Sequence, residues 1–225
     1  MPGLRERKKE QTRHQISAAA RRLFFERGYD AVTVAEVAEE ADVSEATVFN
    51  YFRTKEGLFF SGMDSYEAEL VDAVRQRASG EPVLSAFRRH LLANLDRLSD
   101  RRATQGIAAA AKVIRSSADL QTKEREVLAH HTKALAAAIA DDLGGDREVQ
   151  ARVVATALMG VHVALVDLAR TLALGGVAGG RLAKAVEAQA VPAFDRLERG
   201  LRDFGLRPDD ASSRAPREPE PAHRS

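Results

Sequence analysis

Cysteine is absent from all 225 residues, which excludes disulfides and thiolate metal sites. Aromatic residues are scarce at 5%, against 44% hydrophobic and 30% charged, a balance that suits alanine- and leucine-rich helix packing better than a β-sandwich. No run reaches the roughly 18 uninterrupted apolar residues of a membrane span. The start, MPGLRERKKEQTRHQ, lacks the apolar centre of a signal peptide. A soluble cytoplasmic protein with no membrane partner is the simplest expectation. An excess of one charge is also missing, and at +1 the net charge says nothing about nucleic acid. Locally, residues 1–13 carry Arg5, Arg7, Lys8, Lys9 and Arg13 against Glu6 and Glu10. Such an arm either follows a DNA backbone or serves as a solvated, structureless terminus.

Catalytic signatures are missing as well. No helical stretch carries the Glu-x-x-His of di-iron carboxylate bundles, and there is neither a Gly-x-Ser-x-Gly nucleophile turn nor a Walker-type phosphate loop. Glu126 and His130, the adjacent His130-His131, and His162 ahead of Asp167 match no recognised ligand spacing. The expectation is therefore no enzyme, no metal and no cofactor.

What is present is a dense helical pattern around residues 33–60, TVAEVAEEADVSEATVFNYFRTKEGLFF. Thr33 and Glu36 form a capping box, so a helix starts there, with Val34, Val37, Ala38 and Ala41 on one stripe. Asp42-Val43-Ser44 breaks it, since Asp tolerates turn conformations and Ser is a preferred N-cap. A second short helix follows from Glu45 with Val48, Phe49 and Phe52 as anchors, and Thr54 caps a third that begins at Lys55. Two short helices joined by such a turn form a helix-turn-helix, whose second helix enters the DNA major groove. An earlier helix over residues 12–27, with Ile16, Ala19, Ala20, Leu23 and Phe24 on one face, ends at Gly28 and completes a three-helix head. Its expected core is Ile16, Ala20, Leu23, Phe24, Val34 and Val37, together with Ala38, Val43, Val48, Phe49 and Phe52.

The run of Thr33, Val37-Ala38, Ala41, Val43-Ser44, Thr47, Phe49, Phe52, Lys55-Glu56 and Leu58 resembles the DNA-binding signature of TetR-type transcriptional regulators. Two positions depart from that family: Asp42 stands where glycine is usual in the turn, and Ala46 where glycine often opens the recognition helix. Asp visits the left-handed region more readily than most residues. By elimination from the buried stripe, Ala46, Thr47, Asn50 and Tyr51 can face DNA, and Thr33 and Ser44 at the two helix starts join them. The resemblance implies phosphate contacts at Tyr51 and Lys55, and Lys55 also sits at a helix N-terminus.

Beyond the head, helices are expected over 55–78, 83–99, 101–116, 118–143, 146–174 and 181–204, the last kinked or divided by Pro192. The sixth of these nine helices, counted with the three of the head, starts at Arg101, and the eighth, over 146–174, is apolar on more than one side. Such a helix must be buried on more than one side, and a partner subunit would supply the cover. Small residues Ala157, Gly160 and Ala164 permit close approach. Residues 205–225, rich in Pro, Ser and charge, have almost nothing to bury and are expected to be disordered.

The resulting expectation is an all-α chain: a basic disordered arm (1–11), a helix-turn-helix DNA-binding head (12–54), a helical ligand-binding and dimerisation body (55–204) and a disordered tail (205–225). The resemblance implies a homodimer through the last two helices, bound to a palindromic operator in double-stranded DNA and released by a small, largely apolar effector. Candidates for the effector pocket are Met63, Tyr66, Phe87, His90, Leu91 and Ile107, with Ile114, His131, Met159, His162 and Val166. His131 and His162 could orient a ligand or hold a structural hydrogen bond. An effector-independent dimeric DNA-binding protein, or a helical enzyme or carrier, are the alternatives.

Overall fold

The computed structural model describes residues 4–143 and 147–200, apart from the side chains of residues 4, 62–65 and 142–143. Among the described residues every regular element is helical: α1 (Leu4–Arg27), α2 (Val34–Glu40), α3 (Glu45–Tyr51), α4 (Lys55–Arg75), α5 (Val83–Asn94), a 3-10 turn (Leu95–Ser99), α6 (Arg101–Ser116), α7 (Ala118–Leu143), α8 (Glu148–Leu174) and α9 (Gly180–Arg199).

The starts follow from local chemistry. The Thr33 N–H donates to Glu36 Oε2 at 2.7 Å and the Glu36 N–H donates to Thr33 Oγ1 at 3.2 Å, so both halves of the capping box form. Ser44 Oγ accepts from the Thr47 N–H at 3.1 Å and Thr54 Oγ1 accepts from the Gly57 N–H at 3.0 Å, opening α3 and α4. Asp42 has φ of +52°, the left-handed turn conformation that glycine usually supplies.

Three expectations need correction. The arm over residues 1–11, expected to be structureless, is helical from Leu4 onward, because α1 continues through Arg5, Arg7, Lys8 and Lys9. Of the two outcomes expected at Pro192, division does not occur: α9 runs through it, and Pro192 and Ala188, the residue whose carbonyl the proline cannot bond, both lie on the exposed side. Phe49 is not a core anchor; it is 44% exposed, while Val48 and Phe52 on the other side of α3 are buried. The tail over 205–225 lies outside the described residues.

Two apolar clusters organise the chain. The head cluster joins Ile16, Leu23, Phe24, Val37, Val48 and Phe52 to Leu58 and Phe60 of α4, and extends to Val113, Ile114 and Leu120 of α6 and α7. The body cluster takes the other half of α4, through Leu70, Val71 and Val74, together with Phe87, Leu91, Leu135, Leu158 and Phe194. α4 thus packs its first half in the head cluster and its second half in the body cluster, and α7 likewise spans both, through Leu120 and Leu135. α8 is long and apolar enough to cross a membrane by length and composition, at mean hydropathy 1.6, yet a core or interface helix passes the same test.

Candidate functional site

The head presents α3 to solvent on one face. Ala46, Phe49 and Asn50 are exposed and Thr47 and Tyr51 half-buried, a set that recurs along one side of a two-turn helix. Arg5, Lys8, Lys9 and Thr12 on the first turns of α1 line one cleft together with Thr47, Asn50 and Tyr51. The cleft therefore carries three cationic side chains and the Glu6 carboxylate beside an amide, two threonine hydroxyls and a phenol; its cations, amide and hydroxyls are groups of the kind that hold phosphates and read base edges. Thr33 and Ser44 are exposed, with their hydroxyls engaged in capping; Ser44 Oγ also lies 2.7 Å from Thr47 Oγ1.

Lys55 is half-buried, and its Nζ sits 4.1 Å from the centre of the Tyr29 ring and 5.9 Å from that of Phe24. The Tyr29 hydroxyl donates to Glu56 Oε1 at 2.5 Å. Burial, and after it the Glu56 carboxylate, pushes the Tyr29 phenol well above its ordinary range. Burial raises the Glu56 carboxyl, but the Tyr29 hydrogen bond and further donors outweigh that and leave it below its usual value. Nearby, Arg27 holds Glu36 Oε1 at 2.5 Å, and the Thr33 backbone N–H, Arg27 and the Thr33 hydroxyl lower the Glu36 pKa to about 2.

The expected pocket residues of the body do not all meet. Phe87, Leu91 and Met159 are buried in the body cluster, and Tyr66 and Ile107 pack against it. Ile114 belongs instead to the head cluster, since α6 reaches across to α1 at that end. Val166 is half-buried, and the Met63 side chain lies outside the described residues. His90 Nε2 is buried without a hydrogen bond, 3.9 Å from Glu69, and burial lowers its pKa despite that carboxylate.

His131 of α7 and His162 of α8 converge on a residue that the sequence reading passed over, Glu67 of α4. His131 Nε2 lies 3.7 Å from Glu67 Oε2 and His162 Nε2 lies 3.8 Å from Glu67 Oε1, with the Tyr66 ring 5.7 Å from that of His162. Glu67 is 3% exposed and its Oε2 has no hydrogen-bond partner. A signal was available: Glu67 falls three residues before Leu70 and seven before Val74, on the apolar stripe of α4 where a charge is out of place. Among the described residues no group of three or more His, Asp or Glu is arranged to hold a metal ion.

A helix-turn-helix head carried on an all-helical body defines the class. Residues 16–61 match the family model of bacterial regulatory proteins of the tetR family. The transcriptional regulator TcmR of Streptomyces glaucescens is 34% identical over 99 residues, 44% of each chain, and HbdR of Aromatoleum sp. strain CIB is 40% identical over 65 residues, 27% of this chain and 28% of its own. The matches thus span less than half the length of these relatives. The fold extends further: FadR of Bacillus halodurans superposes with TM-score 0.53 at 22% identity over 85% of this chain and 96% of its own. NalD of Pseudomonas aeruginosa does so with 0.52 at 16% over 84% and 96%. Residues 16–61 are thus similar to the DNA-binding region of tetR-family regulators, and beyond them the likeness to solved structures is one of fold.

Proposed function

We propose that this chain is a cytoplasmic, homodimeric repressor that reads a palindromic operator through α3 and is released by a small, largely apolar effector in its body. The observation that carries the reading is the cleft in which Arg5, Lys8 and Lys9 face Thr47, Asn50 and Tyr51. Lysine and arginine there neutralise phosphates and release counterions, while exposed α3 side chains supply direct readout. Thr47 and Asn50 take base edges or phosphates, Phe49 offers a ring to a thymine methyl, and Tyr51 and Lys55 hold the backbone on either side. Head and body divide in this reading near residue 54.

Two heads are needed because one short helix reads too few base pairs for useful affinity. The surface that joins them is the exposed side of α8. Val149 and Val153 are 77% and 63% exposed, and Gly160 and Ala164 continue the same face without bulk. Effector binding in the body shifts α4, which is packed in both clusters, and the two recognition helices leave their spacing of roughly 34–36 Å.

Selection of bound duplexes from a random pool at fixed salt tests the reading. An enriched palindrome, lost when Tyr51 and Lys55 are both changed to Ala, is the expected result. No enrichment by ligand-free protein would overturn it.

A further inference from the structure

We propose that Glu67 anchors an effector site between α4, α7 and α8 whose ligand is an apolar molecule ending in a protonated amine. This rests on the reading that the body receives an effector, and it names that effector's chemistry.

Glu67 is 3% exposed, and its Oε2 receives no hydrogen bond. The imidazole nitrogens of His131 and His162 stand beside it at 3.7 and 3.8 Å, outside hydrogen-bonding reach. Among the described residues no lysine or arginine pairs with it, so its charged neighbours are limited to the two histidines and Oε2 is left without a hydrogen-bond donor. Buried polar groups are almost always satisfied, and one left open marks a place for something else to bind. An ammonium group supplies the donor that Oε2 lacks, together with a permanent positive charge. The Tyr66 ring, beside His162, offers an aromatic face to the same cation. Phe87, Leu91 and Met159, in the body cluster that α4 shares, suit the apolar remainder of the molecule. A carboxylate-headed ligand would meet Glu67 as a like charge.

The position also explains how occupancy is felt in the head. Glu67 lies on α4 between Phe60, packed in the head cluster, and Leu70, packed in the body cluster. A ligand head group that enters beside Glu67 parts α4 from α7 and displaces the helix that carries both.

The test compares octylamine, octanol and octanoate, matched in chain length, on the full chain at neutral pH by thermal denaturation and calorimetry. Octylamine is expected to raise the melting temperature by about 3 °C or more at saturation, with octanol weaker and octanoate inert. Glu67→Gln is expected to abolish the preference for amine over alcohol while melting, unliganded, at or above the wild-type temperature, because a neutral amide of the same shape costs less to bury than a carboxylate. Octanoate binding best, no response to any probe, or a Glu67→Gln protein that melts several degrees lower yet keeps the amine preference would each overturn the proposal. In the last case Glu67 is a structural partner of the two histidines. DNA binding is read separately: a chain that binds octylamine through Glu67 but enriches no operator sinks the repressor reading and leaves the amine site standing.

Discussion

The ammonium of Lys55 rests 4.1 Å above the Tyr29 ring, and the hydroxyl of that tyrosine is bound to Glu56, the next residue along α4. One side chain of the loop after α1 therefore fixes both the cation and the carboxylate of the first turn of α4. The contact holds Lys55 close to the head, so its charge is presented from a defined position. Changing Lys55 to Ala is expected to weaken binding to all DNA sequences alike and to reduce the salt slope by about 1. Binding isotherms at several salt concentrations check this, and an unchanged slope removes Lys55 from the phosphate contacts. Tyr29→Phe keeps the ring beneath Lys55 but takes the donor from Glu56, at a cost of about 1–2 kcal/mol in urea denaturation.

Glu36 gives the head a pH dependence whose sign follows from its partners. Its folded pKa is about 2 against 4.5 in the unfolded chain, set first by the Thr33 backbone N–H, then by Arg27 and the Thr33 hydroxyl. A group with a depressed folded pKa contributes stability that is present above the unfolded value and lost as pH falls through the folded one. Wild-type protein is expected to melt above Glu36→Gln at neutral pH, and the gap should close between pH 4.5 and pH 2. Thermal melts across that window decide it; a constant gap would mean that the carboxylate charge is irrelevant to the cap.

Phe49 separates a structural from a contact role. If it were core, Phe49→Ala would cost about 3–5 kcal/mol, as such truncations do in packed interiors. At 44% exposure it is expected to leave stability nearly unchanged while weakening operator binding. Phe24→Ala, at a fully buried position, is the matched control and should show the full loss of stability. Chemical denaturation and DNA titration of the two variants give opposite patterns if this is right.

The exposed face of α8 can be blocked without harming the protomer. Gly160 is exposed and a Cβ there would meet no atom within 4 Å in the single chain, so Gly160→Leu directs its side chain away from the protomer and removes a glycine from a helix interior, worth about 1 kcal/mol. The expected outcome is a well-folded monomer by light scattering with sharply reduced operator affinity. A Gly160→Leu protein that stays dimeric moves the interface off this face of α8.

Much of the fold was legible because its signals are local. The capping box at Thr33 and Glu36, Ser44 ahead of α3 and Thr54 ahead of α4 each act within four residues, and the observed hydrogen bonds are the ones their side chains dictate. Asp42 in the left-handed conformation belongs with them. The N-terminal arm was misread because charge suggested a solvated terminus, whereas arginine, lysine and glutamate are all good helix formers and simply extend α1. Phe49 was misread because a helix of two turns has too few residues to fix which side faces in, and an aromatic ring was counted as core by type alone.

The sequence by itself determined that the chain is helical, where most helices start, and that a helix-turn-helix opens it, since caps and apolar stripes depend on neighbours along the chain. Only the tertiary structure decided that α1 lends its basic turns to the recognition helix, that Lys55 lies over Tyr29, and that Glu67 meets His131 and His162. Those side chains come from different elements, many turns apart in sequence. Their approach is set by how the helices pack around the two clusters, which no local rule encodes.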